Sequence, residues 1–154
     1  MNMQPTLSNE VLAWIGVEKV RRYEVTAHDI RRFAQAIGDS EPAVDDDGAV
    51  VAPVLFCQAF MFDDVPAHEL PADGSPQELD LPIPATRTAG GSSEFEVLGA
   101  VRSRDVITIR AKLKDVVIKH GKSGTLYLVV METRFENQLG VAVAREVATY
   151  VKRT

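Results

Sequence analysis

Cysteine is almost missing from the 154-residue chain, which carries a single one, Cys57. A lone thiol excludes an intramolecular disulfide framework, and no cysteine–histidine spacing suited to a zinc site occurs either. Long apolar runs are missing as well. None reaches the roughly 18–20 residues that a membrane helix requires. The start of the chain lacks a basic stretch followed by an apolar one, so no secretory signal is expected. Nor is there a surplus of positive charge: 17 Lys and Arg against 22 Asp and Glu give a net charge of -5. That balance argues against a nucleic-acid or anionic-membrane partner, because both reward a basic field. What remains is ordinary for a globular protein, with 45% hydrophobic and 25% charged residues. A chain of this length suits one domain, residues 1–154, and buries roughly 70% of its unfolded surface without help from a disulfide or metal. The expectation is a cytoplasmic, single-domain protein with no metal and no cofactor.

Residues 1–10 read as a loose lead-in, and residues 11–15 as an apolar stretch that could cover a hydrophobic edge before Gly16. A short strand is predicted over residues 20–25. A helix follows. Thr26 is a good N-cap and Asp29 completes a capping-box-like pattern. Ile30, Phe33, Ala34 and Ile37 recur as one apolar stripe, and Gly38 supplies the stop that helices favour. Residues 39–48 form an acidic loop containing Pro42 and the triplet Asp45, Asp46 and Asp47. At Pro53 the character changes. Val54, Leu55, Phe56, Cys57, Ala59, Phe60, Met61 and Phe62 are apolar, with only Gln58 between them. Proline suits a first helical position. A helix apolar all round is buried all round, so a helix of about ten residues wrapped inside a sheet is predicted.

Residues 63–91 make a long excursion with Pro66, Pro71, Pro76, Pro82 and Pro84, and loops of this length are usually functional or disordered. Beyond it the chain is strand-like. Residues 94–97 alternate. Ile107, Ile109, Ala111 and Leu113 alternate with polar partners, and the phase slips at Asp115, as a bulge or bend would make it. A turn at residues 120–124 leads into residues 126–131, apolar on both faces. Asn137-Gln138-Leu139-Gly140 then turns into residues 141–152. Three long strands joined by tight turns predict an antiparallel meander. The expected class is α+β: an antiparallel sheet wrapped around a buried apolar helix, with an amphipathic helix near the start.

The run Phe33-Ala34-Gln35-Ala36-Ile37-Gly38-Asp39-Ser40-Glu41-Pro42 resembles the signature of MaoC-like (R)-specific enoyl-CoA hydratases and 3-hydroxyacyl dehydratases, G-D-x-N-P-x-H ahead of a buried helix. Val51-Ala52-Pro53, Lys119-His120-Gly121-Lys122-Ser123-Gly124 and Gly140-Val141-Ala142-Val143-Ala144-Arg145-Glu146 are similar to its FAS1-like, or MaoC N-terminal, branch. The likeness spans residues 20–153 and implies a single hot-dog domain. It also implies a reaction: water adds across a trans-2-enoyl thioester, with an aspartate and a histidine as general acid and base. A backbone N–H at the start of the buried helix would stabilise the charge gained by the thioester oxygen, aided by the helix dipole.

Carried over residue by residue, Asp39 stands at the catalytic aspartate position, Glu41 replaces the asparagine and Pro42 matches. The histidine position falls on Val44, which cannot move a proton. The oxyanion glycine position falls on Pro53, which has no N–H. Ala100 and Arg104 replace the proline and glycine of a P-x-x-G-D turn and leave Asp105. The resemblance further implies that Val44, Ala52, Pro53, Val54 and Phe56 line the substrate site, and that hot-dog subunits pair edge to edge.

Other chemistry-bearing residues have plainer readings. Asp39, without its histidine, serves as a polar cap just after a helix. Three adjacent carboxylates at 45–47 converge poorly on one ion and read as a solvated loop. His28 and His120 read as exposed, His68 as part of the excursion, and Cys57 as a small buried hydrophobe, since a reactive thiol needs an accessible electropositive site. Three functional expectations follow. The first is a non-catalytic subunit of a heteromeric enoyl-CoA hydratase or (3R)-hydroxyacyl thioester dehydratase, paired with a histidine-bearing MaoC-like subunit. In it, residues 63–91 would help set chain-length or ring-size preference. The second is an active homodimer using Asp39 and His68 of the other protomer. The third is an acyl-thioester binding module, for a coenzyme A or carrier-protein thioester, without turnover.

Overall fold

The computed structural model describes residues 6–72, 74, 79–121 and 124–153. Ser8 caps a first helix, α1 (Asn9–Trp14), by accepting the Val11 N–H at 3.3 Å. The helix thus begins inside the expected lead-in, whose residues 1–5 lie outside the described ones. Val11 alone of its residues is buried, and Gly16 turns the chain at φ +84° into strand β1 (Glu18–Glu24).

Helix α2 (Ala27–Ala36) forms as its capping predicts. The Thr26 hydroxyl accepts the Asp29 N–H at 3.1 Å, and the Asp29 carboxylate accepts the Thr26 hydroxyl. Ile30 and Ala34 are buried and Phe33 half-buried. Ile37, the expected fourth member of the stripe, is 55% exposed. The helix has ended at Ala36, so Ile37 is its cap and helical geometry no longer carries the i+7 position onto the sheet. Gly38, at φ +82°, makes the expected stop.

The remaining strands are β2 (Arg87–Val97), β3 (Val106–Gly121), β4 (Gly124–Glu136) and β5 (Ala142–Arg153). With β1 they form one antiparallel sheet in the order β1-β3-β4-β5-β2, and β3, β4 and β5 are the expected meander. The register slips between Leu113 and Asp115, where the alternation predicts it. A second irregularity lies between Gly90 and Ser92 of β2. There a Cβ on Gly91 would sit 2.8 Å from the Thr149 carbonyl oxygen, so only glycine fits. Lys122 and Ser123 of the expected β3–β4 turn lie outside the described residues. Among the described residues no helix is long and apolar enough to cross a membrane.

The apolar segment after Pro53 lies against the sheet as expected, but in a shorter form. It makes a 3-10 helix over Phe56–Phe60, not a helix of ten residues. Phe56, Cys57, Phe60 and Met61 face inward and join Ile30, Ile107, Ile109, Phe135 and Val143 in one core cluster. Val54, Leu55, Gln58 and Ala59 are exposed. What stops the segment is Arg21 of β1. Its guanidinium donates to the Phe60 and Met61 carbonyls and pairs with Asp63 at 3.3 Å, a cation where a helix end is negative.

The shortness has a counterpart elsewhere. Leu79, Leu81 and Ile83, inside the Pro-rich excursion, are buried in a second cluster with Val11, Leu113, Val116, Val129 and Met131. The strap closes on itself through i→i+2 bonds, Leu81 to Leu79, Ile83 to Leu81 and Ala85 to Ile83, at 3.0, 2.7 and 2.7 Å. Pro82 and Pro84 stay exposed on its outer side. One half of the sheet's inner face is therefore covered by α2 and the 3-10 helix, the other by the strap and α1. The excursion is also shorter than expected, because β2 takes over at Arg87. Pro76 lies outside the described residues.

On the outer face Glu132 is buried to 4% exposure beneath three cations. Lys112, Arg134 and Arg145 approach it at 3.1, 3.1 and 2.6 Å. Burial alone would raise its carboxyl, but the bonds from Arg145 and Lys112 and the charge of Arg134 outweigh it and hold the group at about 2.

Candidate functional site

The chain approaching Pro53 is pinned to the β2–β3 connection. The Ala52 N–H donates to the Val101 carbonyl at 2.8 Å, the Ser103 N–H to the Val50 carbonyl at 2.9 Å, and the Val50 N–H to the Ser103 hydroxyl at 3.0 Å. Three residues later Leu55 adopts φ +70°, the left-handed region that side chains with a Cβ avoid. The reversal opens a cavity of about 280 Å³ between this segment and the sheet. Ala52, Pro53, Val54 and Phe56 form one wall, Gly99, Ala100 and Val101 another, and Phe95, Val97, Val143 and Ala144 the floor from β2 and β5.

Every side chain in that lining is apolar except Cys57, the single titratable group among them. Burial pushes its thiol up to about 12, so it stays protonated and unreactive at neutral pH. The polar groups available are backbone ones. The Phe56 N–H is taken by the Pro53 carbonyl at 3.2 Å. Pro53 has no N–H, and those of Val54 and Leu55 have no acceptor among the described residues. They stand one and two positions beyond Pro53, where the resemblance leads one to expect the donor. Leu55 thus lines the cavity without a signal in the sequence, since its position there goes with a φ value.

Asp39 and Val44 lie elsewhere. With Arg31, Gln35, Glu41 and Val50 they line a separate depression of about 550 Å³ beside α2. Val44 is 60% exposed and pairs with Val50 through an isolated bridge. The exposed Asp39 accepts the Glu41 N–H at 3.2 Å and so organises its own loop. Of the six expected site residues, Ala52, Pro53, Val54 and Phe56 therefore gather in the apolar cavity, and Asp39 and Val44 do not.

The acidic triplet is likewise a loop device. Asp45 accepts the N–H groups of Ala49 and Asp47 at 2.8 and 3.1 Å and pairs with Arg102 at 3.0 Å. The Ala49 bond first, then those of Asp47 and Arg102, hold its carboxyl below the ordinary value. His28, His68 and His120 are all exposed, and none lines the cavity. His68 sits 3.5 Å from Glu69. Glu146, the last residue of the Gly140-to-Glu146 segment that carries the resemblance, is buried on β5, where it accepts the Ser93 hydroxyl and, at 3.4 Å, the Gln58 amide N–H beneath the 3-10 helix.

Residues 13–146 match the family model described as FAS1-like, dehydratase domain region. No curated protein matches the chain. Among solved structures, it is similar to a MaoC-like dehydratase from Rhodospirillum rubrum, with 19% identity over 90% of this chain and 92% of that one, at a TM-score of 0.63. It is also similar to the C-terminally truncated HadBC (3R-hydroxyacyl-ACP dehydratase) complex of Mycobacterium tuberculosis, with 20% identity, coverage of 90% and 96%, and a TM-score of 0.62. A third is the ChsH1-ChsH2 complex of Mycobacterium tuberculosis, with 18% identity, coverage of 90% and 83%, and a TM-score of 0.62. At such identities the shared feature is the fold, the α+β hot-dog arrangement.

Proposed function

Because the chain belongs to the FAS1-like dehydratase-region family, we propose that it is the acyl-thioester-binding, non-catalytic subunit of a heteromeric enoyl-CoA hydratase or (3R)-hydroxyacyl thioester dehydratase. The observation that carries this reading is the cavity lining, apolar throughout and without a group that titrates near neutrality. Hydration needs a positioned acid and base. Such a lining supplies neither, yet it suits an acyl chain, whose transfer from water is favourable in proportion to the apolar area removed. The N–H groups of Val54 and Leu55, without an acceptor among the described residues, would meet the polar thioester end of such a ligand. A partner subunit would bring the aspartate and histidine. Two of the fold relatives are themselves complexes of two differently named chains, HadBC and ChsH1-ChsH2.

The test joins turnover to binding. Purified chain is assayed for hydration of crotonyl-CoA and longer enoyl-CoA esters by loss of the conjugated thioester absorbance, and for binding of decanoyl-CoA by calorimetry. Binding without turnover is expected. Val54→Asp, which places a charge in the cavity wall, should weaken binding about tenfold or more. Turnover by the isolated chain would overturn the non-catalytic reading in favour of a homodimer with a rearranged site, and absence of binding would overturn the assignment of the cavity.

A further inference from the structure

Three neighbouring rows of side chains cross the inner face of the sheet. Register aligns Ile109, Phe135, Ala144 and Val97 in the first, and Leu113, Met131, Ala148 and Ser93 in the third. The first belongs to the core under the 3-10 helix, and the third enters the core under the strap through Leu113 and Met131. Between them lie Ala111, Thr133, Glu146 and Phe95. Thr133 and Glu146 belong to neither cluster, although they are only 4% and 3% exposed. This polar seam meets the inner end of the acyl cavity. Phe95 faces Glu146 across the strands and Ala144 stands two residues before it, and both are cavity floor. Directly opposed residues hold their Cβ atoms about 5 Å apart, so the carboxyl lies one side chain from the floor. Gln58, which donates to Glu146, directly follows Cys57 of the lining. The Ser93 hydroxyl and the Gln58 amide both donate to one oxygen, Oε1. Among the described residues the other, Oε2, accepts from no donor, and no cation pairs with the carboxyl.

We propose that Glu146 is the selectivity group at the inner end of the cavity, where Oε2 accepts a hydroxyl carried near the far end of the acyl chain. The proposal rests on the reading of the cavity as an acyl site and names the class of acyl group it takes. That class is hydroxylated away from the thioester, in place of a plain alkyl chain. A buried polar group is costly unless hydrogen-bonded, and here no cation offsets the cost. An alkyl end pressed against Oε2 shuts it off from any donor and returns nothing. A hydroxyl end supplies the missing bond. Buried acceptors separate a hydroxylated ligand from its plain analogue more sharply than an apolar pocket separates one methylene. A strut between β5, β2 and the 3-10 helix needs only the two bonds on Oε1, so that role leaves Oε2 without a purpose.

The experiment titrates the full chain by calorimetry with saturated acyl-CoA esters of six, eight, ten and twelve carbons. Each is compared with the same ester carrying a terminal hydroxyl. At one chain length the hydroxyl should tighten binding about tenfold, as one added hydrogen bond implies. A terminal carboxylate at that length has no hydrogen to donate and should bring no gain. In Glu146→Leu the ratio between hydroxylated and plain esters should fall to about one. The comparison on the parent chain stands whether or not that variant folds. Plain and hydroxylated esters binding alike at every length would overturn this proposal and leave the acyl cavity intact. So would a gain that survives in Glu146→Leu, or an equal gain from the terminal carboxylate. Binding of none of the esters would overturn it together with the acyl reading on which it rests.

Discussion

Leu55 is where backbone and chemistry meet. Its left-handed φ costs a residue with a Cβ about 1–2 kcal/mol, and strain of this kind persists where surrounding structure over-determines it, commonly at ligand sites. Here the constraint is visible on both sides: Ala52 is tied to the Val101 carbonyl, and the Gln58 N–H donates to the Leu55 carbonyl at 2.9 Å. The side chain is 42% exposed, so packing gives little in return. In most settings alanine is more stable than glycine by roughly 0.5–1 kcal/mol. At this position the order should invert: in urea unfolding, Leu55→Gly should exceed Leu55→Ala in stability by about 1 kcal/mol. An alanine variant equal to or better than the glycine one would show that the turn carries no such strain. The resemblance puts Asp39, Val44 and Pro53 into one expected site, whereas the structure sets Asp39 and Val44 in one depression and Pro53 in another. Linear spacing cannot tell on which side of the Val44–Val50 bridge a loop will fall.

At the scale of elements, the meander, the bulge beside Asp115 and both ends of α2 are legible because each rests on local chemistry: alternation, a phase slip, a cap, a stop. The segment after Pro53 is not, because its length is a tertiary matter. Hydrophobicity all round makes a ten-residue buried helix reasonable, but the sheet beyond Met61 is occupied by the strap of Leu79, Leu81 and Ile83, and Arg21 closes the segment from β1. The strap itself carries no helical or strand period. Its prolines alternate with its inward residues, and the i→i+2 bonds leave it extended, so a Pro-rich stretch conceals a piece of core. Such a piece responds to truncation as core does. Leu81→Ala should cost about 2–5 kcal/mol, against little for Pro82→Ala on the exposed side. Denaturant midpoints compare the two directly, and equal, small effects would show that the strap is only laid on the surface.

For the molecule as a whole, the cavity's rim matters more than its floor. Val54, Leu55, Val97 and Leu98 are 68%, 42%, 52% and 49% exposed. The rim runs into β2, the last strand in the sheet order, which among the described residues pairs with β5 alone. An edge strand next to exposed aliphatic side chains is a surface that isolated proteins usually protect. Joined to the proposed function, it is where a histidine-bearing subunit would cover the cavity and supply the missing acid and base. Association and stability should therefore separate. Val97→Lys/Leu98→Glu should abolish pairing, with itself or with a catalytic subunit, in sedimentation velocity. Its melting temperature at low protein concentration should stay within about 2 °C of the parent, as surface changes of up to 0.5 kcal/mol imply for a domain of this size. Pairing that survives both substitutions would move the partner interface away from this rim, and the apolar cavity would then open to solvent in the working protein.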